Sequence, residues 1–387
     1  ITIPIHVKKI ESNAFSNTKE LKTVIFSDNA EIEIIEEKAF EFSSITTLKF
    51  PDNLTTIESY TFYCSMLETV EFSPKSKLTT IKDYAFLLSS ITEICIPAHV
   101  QTIGICAFCE CDKLKTVVFC DNSELTKICK EAFKNTKIKK IIIPRHVKFI
   151  DYYAFYSCQN LENIEFAPNS ELEIIGKYAF NNTQVNKVVI PKNTIKLYEG
   201  CFGNNEKLEN LIFEENSELD YLDLGTTFNT NVKHINIPSK VKYLNRENLY
   251  NIKELEKVSI SPRNMFFKSI DDQMIVEKSG NKFDTLYCAC SKIKNAKIPS
   301  YIKHISSFCF EMIQNLETIE FEKNSKLKTI GKGAFIGISI KEITIPAGVK
   351  FIEKLFCNCE KLQTVNFESN SELKTIDENA FSYNKIK

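Results

Sequence analysis

The sequence contains no tryptophan and only 10 glycines among 387 residues, which excludes collagen-like and loop-rich chains. It has no apolar run approaching the roughly 18 residues that a membrane-spanning helix needs, so direct membrane insertion is not expected. It has no charge of one dominant sign: 49 basic residues face 50 acidic ones, for a net charge of −1. Nucleic-acid-binding domains carry a basic excess, so a nucleic-acid partner is not expected either. No G-x-S-x-G, H-E-x-x-H or phosphate-binding loop occurs, and no nucleophile stands beside a base. The acidic residues are scattered through polar loops rather than paired. An enzyme is therefore not expected, and neither is a cofactor. Ile1 to Ile10 holds Pro4, His6, Lys8 and Lys9 with no small-residue cleavage site, so no signal peptide is visible.

What is present is a repeat. An apolar residue followed by proline recurs at Ile3-Pro4, Phe50-Pro51, Ile96-Pro97, Ile143-Pro144, Ile190-Pro191, Ile237-Pro238, Ile298-Pro299 and Ile345-Pro346. The spacing is 46 or 47 residues except for one gap of 61. Interleaved with it is a Phe, a short polar loop and then Leu, as in Phe119 to Leu125 and Phe166 to Leu172. The period is thus two alternating units of about 22 to 25 residues. Every unit also carries an aromatic anchor after a small residue, as at Ala107-Phe108, Ala132-Phe133 and Ala154-Phe155, with Cys201-Phe202 and Thr227-Phe228 as variants. Both chain ends, "ITIP" and "AFSYNKIK", fall inside the repeat, so the sequence reads as a fragment cut within its array.

The pattern has a direct physical meaning. The L-x-x-I-x-I segment is a strand whose last two apolar residues point inward, because side chains alternate across a strand. Ile141 and Ile143 are expected inside, with Lys140 and Ile142 outside. Proline ends the ladder because it has no N–H to donate. The small residue lets the chain turn closely while the Phe ring fills the space between coils. One unit cannot bury its apolar face alone, but a stack of units can. The expected fold is a single leucine-rich-repeat solenoid over 1–387, mainly β, with one short concave strand per repeat and short helical turns on the convex side.

The repeat resembles the BspA-like (Treponema pallidum-type) leucine-rich repeat family. Its motif runs approximately C-x-x-L-x-x-I-x-I-P-x-x-V-x-x-I-x-x-x-A-F. The matching residues include Cys158 to Leu161, Ile164 to Phe166, and Ile143-Pro144 through Val147, Ile150 and Ala154-Phe155. The resemblance covers essentially the whole chain. It implies a cell-surface or secreted protein of bacterial or protozoan type that adheres to host cells, matrix or other microbes.

The 14 cysteines raise the question of metal or disulfides. Cys106, Cys109 and Cys111 form C-x2-C-x-C, and Cys288/Cys290 and Cys357/Cys359 form C-x-C, but none has the two-pair spacing of a zinc site. Repeat position accounts for many of them: Cys111, Cys158 and Cys359 lie three residues after an anchor Phe. Buried free thiols are expected, and no metal. His6, His99 and His146 share one slot on alternate coils, too far apart for joint ligation, and read as loop residues. Sequons at Asn53 and Asn181 are no more than an Asn-rich chain shows by chance.

The 61-residue gap contains a departure from the repeat at 261–293. Ser279-Gly280-Asn281 is a turn signal between Gln273–Lys278 and Lys282–Cys288, so a β-hairpin is expected. It is either a variant coil that reshapes the solenoid or a protruding recognition element.

Solenoids bind through their extended concave surface. The outward strand column there includes Val118, Ile142, Val189 and Ile212, apolar residues clustered mid-chain. Beside it run Lys140, Lys187 and His234. These seven residues are the candidate partner-binding patch, set against the plainer reading that β-branched residues suit strands. The expected function is non-enzymatic recognition of a protein or of a cell-surface or matrix ligand. An intracellular protein-interaction scaffold is the alternative, and exposed coil ends allow end-to-end self-association.

Overall fold

Alternation decides each strand. In Lys140–Ile143, Ile141 and Ile143 have no solvent exposure, whereas Lys140 and Ile142 face outward. A computed structural model describes residues 1–246 and 252–386. They form two units, Ile1–Thr230 and Asn231–Lys387. Both are β-solenoids, and the single helical element among the described residues is a 3-10 turn at Leu224–Thr227.

Each coil of the first unit lays down one strand on each of two faces, reaching four residues on one face from Glu93–Ile96 onward and two or three residues on the other. The short strands stack in parallel and in sequence order, from Lys9–Ile10 to Tyr221–Asp223 without a break. The longer strands pair in parallel within each Pro-type and Phe-type couple: Glu93–Ile96 with Thr116–Phe119, Lys140–Ile143 with Asn163–Phe166, and Lys187–Ile190 with Asn210–Phe213. The side chains between these two faces make the core.

A column of anchor rings joins the coils. Phe15, Phe40, Phe62, Phe86, Phe108, Phe133, Phe155, Phe180 and Phe202 stack face to face, with centroids 5.0 to 5.5 Å apart. That spacing matches the separation of paired strands, about 4.8 Å, so the ladder sets the stack. Main-chain bonds hold each corner in register: Phe108 N–H donates to Ala132 O and Phe133 N–H to Ala154 O, both at 2.8 Å. The corners need left-handed backbone both before the small residue and two residues after the Phe. Tyr153 (φ 60°), Ser157 (φ 56°), Tyr178 (φ 57°) and Asn182 (φ 58°) are examples. Such residues cost about 1–2 kcal/mol each, which favours Asn there and is offset by burial of the ring, worth about 1.5–3 kcal/mol.

One anchor departs from expectation. Phe228 does not join the column; it meets Tyr178 edge-on, with centroids 6.2 Å apart. The reason is a one-residue insertion. In regular coils the Phe lies five positions after the buried short-strand residue, as Phe180 does after Ile175, but Phe228 lies six positions after Leu222. Phe202 N–H donates to Thr226 O, as Phe180 N–H does to Cys201 O. Thr226 therefore holds the small slot and Thr227, fully buried, the ring's slot. The extra residue is taken up by the 3-10 turn, and the Phe column ends at Phe202.

The second unit repeats the scheme, with Phe310, Phe335, Phe356 and Phe381 stacked at 5.3 to 5.7 Å. Its insertion is three antiparallel strands, Phe267–Ile270, Met274–Ser279 and Lys282–Ala289. Gly280, at φ 59°, supplies the left-handed first corner of the tight turn. The return strand is built into the coil: Thr285 and Leu286 pair in parallel with His304 and Ile305, in the place of a short strand. Leu286, Cys288 and Ala289 are buried, and the exposed residues of the three strands and their turns are Lys268, Asp271 and the tip at Ser279 to Lys282.

Candidate recognition face

The longer strands present one outward row per coil. In the first unit Val118 and Ile142 are 49% and 47% exposed, and Val189 and Ile212 are 38% and 40% exposed. Val189 sits opposite Ile212, and Val118 opposite Cys95. Ile142 sits opposite Glu165, whose carboxylate lies 2.7 Å from Lys140 Nζ. The apolar strip is therefore split. Val118 and Ile142 lie on one side of Glu165, Val189 and Ile212 on the other, and Lys140 is bound to the residue that divides them. Lys187 lies exposed at the start of the strand that carries Val189. His234 belongs to the second unit, where its Nε2 is 2.9 Å from Ser259 Oγ.

In the second unit the same row reads Asn236, Ser259, Lys297, Glu320, Thr344 and Asn366, with no apolar member. An open groove of about 1290 Å³ on that unit is lined by polar side chains including Thr318, Glu320, Glu342, Thr344 and Asn366.

The slot three residues after the anchor is a hydrogen-bonding column. Cys111 Sγ donates to Phe86 O at 3.0 Å and Cys158 Sγ to Phe133 O at 3.1 Å. Thr136 Oγ1 donates to Phe133 O at 3.0 Å. Burial pushes the Cys111 thiol up to about 12 and the Cys158 thiol up to about 11, so both stay protonated. None of the 14 cysteines is in a disulfide. Cys95 and Cys120 do approach each other on the outward face, with sulfurs 3.0 Å apart. The slot-sharing histidines each reach a Glu 25 residues on: His6 to Glu31 at 3.5 Å, His99 to Glu124 at 2.9 Å and His146 to Glu171 at 3.1 Å. The sequon residue Asn181 is buried and donates to Gly200 O.

Local spacing missed one constellation. Cys106, Cys109 and Glu131, from successive coils, place their ligand atoms within 4.8 Å of one another, the one such group of three among the described residues. A hydrogen bond from Cys109 pulls the Cys106 thiol below its usual range and pushes Cys109 up. The signal was available only through the repeat register, which places Glu131 in the slot of Cys106 one coil later.

A family model described as the BspA type leucine rich repeat region (6 copies) matches residues 1–115, 79–209, 126–256, 173–279 and 283–387. A leucine-rich repeat protein from Bacteroides ovatus shares the fold at 23% identity and a TM-score of 0.55, over 99% of this chain and 84% of that one. A leucine rich cell surface protein from Faecalibacterium prausnitzii aligns at 18% identity and a TM-score of 0.39, over 72% of this chain and 88% of that one. No curated protein matches the sequence. The family model spans nearly the whole chain, and the coils, anchors and Pro-ended strands are those of its repeat: the chain belongs to the BspA type leucine-rich repeat family.

Proposed function

We propose that this chain is a non-enzymatic recognition module that attaches a cell surface to host cells or matrix, and that the outward strand row of its first unit makes the contact. The observation that carries this reading is the exposure, 38% to 49%, of Val118, Ile142, Val189 and Ile212 on rows where a polar residue would fit equally well. Apolar clusters edged by charge are the usual centre of an interface. Family membership supports a protein partner and a surface location. The test is binding of the purified chain to intact epithelial cells and to a panel of purified matrix proteins. Saturable binding that is lost in Ile142→Glu with Val189→Glu, at unchanged circular dichroism, supports the proposal. Absence of binding to every surface removes the adhesive reading.

A second reading has its own observation. Fourteen thiols with no disulfide suit a reducing compartment, and there the same face would serve an intracellular scaffold. Fractionation of the producing cell separates the two.

A further inference from the structure

The corner column before the small residue carries two stacked tyrosine pairs in the first unit. Tyr60 stacks on Tyr84 at 4.7 Å, and Tyr153 on Tyr178 at 5.2 Å. Between these two pairs the column changes chemistry. The two intervening coils carry Cys106 and Glu131 in that slot, and Cys109 follows the anchor Phe108. Cys106 and Cys109 are nearly fully buried and Glu131 half-buried.

We propose that Cys106, Cys109 and Glu131 form a binding site for a thiophilic divalent cation of the Zn²⁺ class, with two thiolates and one carboxylate as ligands and a fourth position left to solvent. The geometry is close to what such an ion requires. Zn–S bonds of about 2.3 Å and Zn–O bonds of about 2.0–2.2 Å set tetrahedral ligand atoms roughly 3.5–3.8 Å apart. Cys106 Sγ lies 4.0 Å from Glu131 Oε2, and no pair in the group exceeds 4.8 Å. The backbone already holds the ligands in place. Cys109 N–H donates to Cys106 O at 3.2 Å, closing the turn that turns both sulfurs to one side. Cys106 N–H donates to Lys130 O at 3.0 Å, fixing the register of the coil that brings Glu131.

Two ammonium groups now balance the carboxylate: Lys134 Nζ is 2.8 Å from Oε2 and Lys130 Nζ is 3.4 Å from Oε1. A divalent ion would displace Lys134 into solvent and leave Lys130 on the second oxygen. Binding releases the two thiol protons to solvent, and no electron is transferred. The bound ion would tie two successive coils together. Thiolates select zinc-like ions over Mg²⁺ and Ca²⁺, which take oxygen ligands.

The test is titration of the reduced full chain with Co²⁺ alone, read by the thiolate-to-cobalt charge-transfer absorption and then by displacement with Zn²⁺. The expected result is one equivalent bound, with the band unchanged in Cys95→Ser/Cys120→Ser and absent in Cys106→Ser/Cys109→Ser. Glu131→Gln creates no cavity, so it tests the site even where the double serine variant fails to fold. Its expected affinity is at least about tenfold weaker, a typical consequence of losing a metal-site partner. No band in the parent chain, a band that survives Cys106→Ser/Cys109→Ser, or equal affinity in Glu131→Gln overturns the proposal.

Discussion

The two units share an interior and differ on the outside. Inward strand residues are chiefly Ile, Val and Leu in both, with Ala296 an exception in the second, and both carry a stacked Phe column. The outward row of the first unit holds Lys49 and Glu71 early on and then Val118, Ile142, Val189 and Ile212 around Glu165, whereas the second unit holds Lys297, Glu320, Thr344 and Asn366. The fold constrains the inner face, because every coil must bury the same stripe against its neighbours. It leaves the outer row free. β-propensity alone would fill both outer rows with β-branched residues, and the second unit shows that it does not. The four exposed apolar residues from Val118 to Ile212 are a feature of the first unit alone, and the proposed partner contact accounts for them.

The largest effects should fall on the shared interior. Phe155→Ala and Phe335→Ala remove fully buried rings stacked on both sides, and each should cost about 3–5 kcal/mol in chemical denaturation. A cost under about 1 kcal/mol in either unit would end the claim of a common core rule. Next comes the outer row. Ile142→Glu with Val189→Glu should weaken partner binding about 10- to 100-fold, as loss of central interface residues does. A collapse of the circular dichroism signal would instead make these residues core. Thr227→Val removes a buried hydroxyl that has no hydrogen-bond partner, at the corner where the Phe column ends. It should raise stability by about 1 kcal/mol, seen as a higher denaturation midpoint. The smallest effect is expected from Thr344→Glu with Asn366→Glu in the second unit. Both side chains are exposed in a row already polar, so stability should shift by no more than about 0.5 kcal/mol and binding should be unchanged.

Much of the fold could be read from residues alone. The Ile–Pro spacing gave the coil length, and the alternation in Lys140–Ile143 gave its buried and exposed faces, because period-two patterning leaves no second choice of face. The hairpin turn was visible at Ser279-Gly280-Asn281, but not the role of its return strand as a rung of the ladder. That role depends on Thr285 and Leu286 meeting His304 and Ile305, a parallel pairing with no local signature. Thr227-Phe228 resembles the other anchors in local sequence, yet its extra residue moves the ring out of the column. Counting from Leu222 rather than matching the dipeptide would have exposed this. At the recognition face, the exposure of the apolar row followed from register. The partition of that row by Glu165, and the capture of Lys140 by it, follow from cross-strand neighbours that lie 25 residues apart. The Cys106–Cys109–Glu131 group was hidden for the same reason: in a solenoid, the third side chain of a cluster belongs to the next coil.

In the proposed function, partners meet the outward row of the first unit. The most direct test places one photo-crosslinking side chain at position 142 and, in a separate protein, at position 344, and irradiates each on intact epithelial cells. A discrete crosslinked product is expected from position 142 and none above background from position 344. Equal products from both positions, or a product from position 344 alone, would contradict the proposal.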